Sequence, residues 1–207
     1  STLGDEGVLV PAKAETGFSR PDLQGTYDTL IHDPWRPVPA LGGHATFPAG
    51  PKNRASLDER TDILSYNTGV LEEQILISGN ITVELYCKCD SPGFDICAVL
   101  SDVYPDGRVY GMTQGYQRVT VSPSTKQSNN EPINVSVTLQ STCLGIQKGH
   151  ALRLSISGAC YPAYAMNPGT GALPGQGDLM DARVITIEVH ASEKYPSKVI
   201  LPVIEAD

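Results

Sequence analysis

Positive charge is scarce in this chain: 15 lysines and arginines stand against 23 aspartates and glutamates over 207 residues, a formal net charge of −8. The few cations are scattered, so no basic stripe is available to follow a phosphate backbone, and nucleic acid is not expected as a partner. Long apolar runs are missing as well. None approaches the roughly 18 residues of a membrane span, and the leading STLGDEGVLV has neither a basic flank nor an apolar signal core. No membrane partner is expected.

Aromatic residues make up only 6% of the chain, with a single tryptophan, Trp35. Their placement therefore carries weight. Cysteines number five, an odd count, and no CxxC pair or nearby histidine pair accompanies them. Cys87 and Cys89 share parity with Val83 and Leu85, opposite Glu84, Tyr86 and Lys88, which puts both thiols on the buried face of a strand and favours core packing over a metal. Reduced thiols fit a cytoplasmic setting. The sequons at Asn80 and Asn134 would matter only on a eukaryotic secretory route.

What the chain does have is period-two alternation. Ile133, Val135, Val137 and Leu139 alternate with polar residues, as do Leu152, Leu154 and Ile156. Each strand buries one face. Further strands are expected at Ile63–Thr68, Gln74–Ser78, Asn80–Cys89, Phe94–Tyr104, Val109–Gln117, Gln117–Val121, Arg183–Ala191 and Lys198–Val203, with short edge strands at Gly7–Val10 and Thr26–Ile31. Pro105-Asp106-Gly107 supplies a hairpin turn, because proline presets φ, aspartate bonds locally and glycine accepts a positive φ. Helix is expected only at Ala55–Arg60 and Gly177–Asp181. Some ten strands with almost no helix indicate an antiparallel β-sandwich, not a wound α/β core.

Two stretches resist this pattern. DPWRPVPALGGHATFPAGP (33–51) is dense in proline and glycine and cannot be a regular central strand or helix. Trp35 within it is an apolar anchor, either for a partner surface or for the sandwich itself. Residues 158–182 lack a period, and a loop that long is usually functional or ordered by a neighbour. Tyr161, Tyr164 and Asn167 in that loop join Trp35 as interface candidates.

Catalytic chemistry has no visible home. A GxSxG elbow, a GxxxxGK[ST] loop and a GxGxxG turn are all absent. Ser155 and Ser157 form a strand's polar face. His32, His44, His150 and His190 lie far apart, and His150 reads as a loop cap. Glu72-Glu73 and the group Asp58, Glu59, Asp62 read as solvated loop charges; Asp102 reads as a cap for the turn before Pro105, with calcium at Asp95 or Asp102 a weaker alternative. No residue is assigned as catalytic, metal-binding or cofactor-binding, and no cofactor is expected.

At this point HDPWRPVPALGG (32–43), GPKNRASLDERTDILSYNTGVL (50–71), FDICAVLSDVYPDGR (94–108), KGHALRLSISGACYPAYAMNPGTG (148–171) and YPSKVILPV (195–203) resemble, in order and spacing, the C-terminal non-catalytic domain of X-prolyl dipeptidyl-peptidases. The same domain closes the cocaine esterase and α-amino-acid ester hydrolase enzymes of the CocE/NonD group. The resemblance implies a jelly-roll sandwich of galactose-binding-like type over 28–207, with 1–27 as a connecting segment from a missing α/β-hydrolase domain that carries the serine triad and is the expected partner. The chain alone would then be no enzyme, and its parent a peptidase or acyl esterase. After GHALRLSIS, relatives tend to read SSNFPRFDRNPNTG where this chain has GACYPAYAMNPGTG, so a charged pair is lost. A homo-oligomer is compatible with these features. The alternative function is a free-standing carbohydrate- or ligand-binding module.

Overall fold

The structure, a computed structural model, describes residues 7–11, 16–18, 27–44, 46–121, 131–172 and 177–204. In chain order the elements are β1 (Gly7–Pro11), β2 (Thr16–Phe18), β3 (Tyr27–His32), α1 (Ala55–Asp58), β4 (Ile63–Asn67), β5 (Ile75–Gly79), β6 (Thr82–Cys89) and β7 (Gly93–Val103). They continue with β8 (Val109–Thr120), β9 (Ile133–Thr138), β10 (Thr142–Ile146), β11 (Ala151–Ser157), β12 (Ile185–His190), β13 (Lys198–Ile200) and β14 (Val203–Ile204). A 3-10 turn, Leu179–Asp181, stands where a short helix was expected.

Two curled antiparallel sheets make a β-sandwich. One runs β4-β11-β7-β8; the other runs β9-β6-β12-β3, with β13 also paired to β6. β1 joins them, since Gly7 and Val8 lie parallel to β4 while Leu9–Pro11 pair with β2, which in turn pairs with β13. A small sheet, β10-β5-β14, lies apart from these pairings.

The alternation read from the sequence becomes the core. Val135 and Val137 of β9, Leu152, Leu154 and Ile156 of β11, and Val83, Leu85 and Cys87 of β6 are all buried in one cluster with Phe94, Ile96, Ala98 and Leu100 of β7. Each large apolar side chain so enclosed contributes about 1.5–3 kcal/mol of transfer free energy. The turn at Pro105-Asp106-Gly107 forms as expected: Gly107 has φ +86°, and its N–H donates to the Tyr104 carbonyl at 2.9 Å.

Several details differ from the sequence reading. Val109–Thr120 is one continuous strand, not two, and the ladder absorbs the irregularity through a register shift at Leu100/Ser101. Thr142–Ile146 is a strand the alternation did not reveal, being short and interrupted by Gly145. The strand expected over Lys198–Val203 divides into β13 and β14 around Pro202, which has no N–H to give a ladder.

Candidate interface over the outer face of β7

β7 is buried on both sides. Phe94, Ile96, Ala98 and Leu100 face the sandwich core, and the alternate residues Asp95, Cys97, Val99 and Ser101 are also buried. In the ladder these outer residues stand beside Arg118, Tyr116 and Gln114 of β8 and beside Ser157, Ser155 and Arg153 of β11. An antiparallel sheet usually leaves its outer face to water, so something must cover this one.

The cover is the chain's own irregular sequence. Val38 packs with Ile63 and Ala159, while Ala40, Ala163, Tyr116 and Tyr164 surround Cys97, Val99 and Cys160. The Pro-rich segment and the loop after β11 are laced together, because the Ala40 N–H donates to the Tyr161 carbonyl at 2.7 Å and the Tyr161 N–H donates to the Val38 carbonyl at 3.0 Å. Further along the face, Arg54 and Asp58 of the α1 turn pair at 3.0 Å, with Arg153 3.8 Å from the other Asp58 oxygen.

Asp95 holds the loop in place. Arg118 Nε donates to Asp95 Oδ1 at 2.8 Å and Arg118 Nη2 to Oδ2 at 2.7 Å, and the Tyr116 hydroxyl also donates to Oδ2. The same Arg118 Nη2 donates to the Ala165 carbonyl at 2.7 Å. Asn167 Nδ2 donates to Asp95 Oδ1 at 3.0 Å, and its own Oδ1 accepts from the Gly169 N–H at 3.0 Å. His32 Nε2–H closes the arrangement by donating to the Asn167 carbonyl at 3.0 Å. Burial and the Asp95 charge push the Tyr116 phenol well above its usual range, so it remains a donor. The Tyr116 and Tyr164 rings stack at 4.2 Å and 2°.

The four interface candidates therefore separate. Trp35 and Tyr161 project from the covering layer, 51% and 50% exposed, and Phe47 of the same Pro-rich segment is fully exposed. Tyr164 is half-buried on Tyr116. Asn167 is only 6% exposed, and its amide is spent within the chain, so it shapes the loop from inside. Sequence reasoning did not find Asp95, Arg118 or Tyr116 as the anchor. The signal was present in FDICAVL, whose apolar residues fall on both parities and so mark a strand covered twice.

Asp102, expected to cap the turn, instead pairs with His150 Nδ1 at 2.8 Å, and Asp106 serves the turn by accepting from the Arg108 N–H at 3.2 Å. Among the described residues no hydroxyl hydrogen-bonds the other His150 nitrogen. Also among the described residues, no three His, Cys, Asp or Glu side chains converge.

The chain is 28% identical over 186 residues to the cocaine esterase of Rhodococcus sp. (strain MB1 Bresler), a match covering 86% of this chain and 32% of that protein. Its fold matches an aminopeptidase from the marine sediment archaeon Thaumarchaeota archaeon with a TM-score of 0.78 at 20% identity, covering 97% of this chain and 37% of the other. An α-amino acid ester hydrolase matches with a TM-score of 0.77 at 23% identity, covering 96% and 36% of the two chains. This chain thus spans about a third of the length of each. Residues 11–200 match the family described as the X-Pro dipeptidyl-peptidase C-terminal non-catalytic domain, and the chain belongs to that family.

Proposed function

We propose that this chain is the accessory C-terminal part of a serine hydrolase acting on peptide or ester bonds, and that it docks on an α/β-hydrolase domain of the same polypeptide. The observation that carries this reading is the coverage: nearly the whole chain matches a non-catalytic domain, yet it accounts for only 32% of a cocaine esterase. The triad belongs to the remaining length, and 1–27 is the stretch that connects to it, although its strands β1 and β2 are already paired with β4 and β13 of the sandwich. The docking surface is the covering layer of β7, with Trp35, Phe47 and Tyr161 as its apolar contacts and Tyr164 and Asn167 fixing the loop that presents Tyr161.

In this reading the domain's contribution is shape. A rigid sandwich carrying an ordered loop walls one side of the approach to the catalytic serine and limits which substrates reach it. The reading frame on the 5′ side of the Ser1 codon tests the proposal directly. A GxSxG elbow followed by an acid and a histidine is expected there; an open frame without them overturns it. Specific, saturable binding on a glycan array by the isolated chain would instead favour a free-standing carbohydrate module.

A further inference from the structure

We propose that Cys97 and Cys160 form an oxidisable dithiol that can tie the loop 158–172 covalently to β7, a modification site independent of the docking role. Cys97 lies on the outer face of β7 directly opposite Ser157, the last residue of β11. The chain then turns at Gly158 and returns over that face, bringing Cys160 into the same small buried cluster as Cys97 and Val99. The Cys160 carbonyl is fixed by the Tyr164 N–H at 3.0 Å, so the backbone bearing the thiol is ordered.

The two side chains share this buried cluster, and their acidities are shifted in opposite directions. Cys160 is drawn below the usual thiol range by hydrogen bonding from Cys97, assisted by the nearby Arg54 charge. Cys97 is raised by that same contact and by burial. This is the asymmetry of an attacking and a resolving cysteine. The remaining thiols have other settings: Cys87 is raised by burial in the apolar core, Cys89 donates to the Ser91 carbonyl at 3.1 Å, and Cys143 is exposed.

With a small-molecule disulfide such as oxidised glutathione, the Cys160 thiolate attacks one sulfur and releases one glutathione thiolate. Cys97, on losing its proton, attacks the Cys160 sulfur of the mixed disulfide and releases the second. The protein gives up two electrons and two protons, and the oxidant leaves as two thiols.

The test uses the full chain in a Cys143→Ser background, incubated natively with oxidised glutathione, acid-quenched, alkylated and peptide-mapped. The expected product is a disulfide joining the peptides that contain Cys97 and Cys160. Cys97→Ala should stop at a glutathione adduct on Cys160, and Cys160→Ala should give neither adduct nor cross-link, with far-ultraviolet circular dichroism confirming that both variants fold. Should a variant not fold, the map of the Cys143→Ser protein decides alone. A cross-link joining other cysteines, or Cys97 and Cys160 both remaining alkylatable, overturns the proposal.

Discussion

Arg118 grips Asp95 through two guanidinium nitrogens, Nε to Oδ1 at 2.8 Å and Nη2 to Oδ2 at 2.7 Å, from the position directly across the β7–β8 ladder. The carboxylate is almost fully enclosed, whereas the arginine keeps 23% of its side chain in water. Replacing Arg118 by methionine would keep the stem and strip a buried charge of its main partner. A loss of about 3 kcal/mol is expected, the low end for breaking a buried pair because the arginine is partly solvated. Urea unfolding checks this; a loss under about 0.5 kcal/mol would class the pair with ordinary surface charges.

His32 should make stability sensitive to acid. It is 3% exposed, and burial lowers its pKa from 6.5 despite the bond to the Asn167 carbonyl. The unfolded chain then binds the proton more readily than the folded one, so the His32 contribution is constant above pH 6.5 and stability falls as pH drops from there toward the lowered folded value. His32→Gln should flatten that part of the profile of unfolding free energy against pH. An unchanged slope would show that other groups carry it.

Gly158 is required by close approach. A Cβ there would lie 2.6 Å from the Cβ of His32, an atom that cannot swing away. Gly158→Ala is expected to cost about 1–3 kcal/mol through overpacking. Gly69→Ala, where a Cβ meets nothing within 4 Å, is the control and should be close to neutral. Thermal unfolding of the two variants, compared side by side, decides the point.

The sole tryptophan reports on docking. Trp35 is half exposed, so the isolated domain should emit at the long wavelengths of a hydrated indole. If the covering layer meets the hydrolase domain, adding that domain should shift the emission to the blue, and Trp35→Ala together with Tyr161→Ala should weaken association without lowering stability, since both side chains project. Emission that stays constant while the two parts co-elute would place the contact elsewhere.

The sandwich was legible because its strands are written in period two: Val135 and Val137, or Leu154 and Ile156, have one environment each. The site was only partly so. Trp35 and Tyr161 announced themselves as rare aromatics in irregular sequence, and both project from the surface. Asp95, Arg118 and Asn167 are ordinary polar residues separated by tens of positions, and only the β7–β8 register and the returning loop bring them together. The loop GACYPAYAMNPGTG has no charged side chain of its own, and the charge that holds it comes from the sheet beneath through the Ala165 carbonyl.

A strand with two interiors also sets the order in which the molecule comes apart. To expose the amides of Ile96–Leu100 to deuterium, either the sandwich must open or both the covering segments and the neighbouring strands β8 and β11 must leave, whereas β3, among the described residues, has a ladder partner on one side only. These amides should be the slowest to exchange, at a rate governed by global unfolding, while the layer carrying Trp35 and Tyr161 can peel away by local opening. The proposed docking surface is thus an independently loosening skin on an inner strand that moves last.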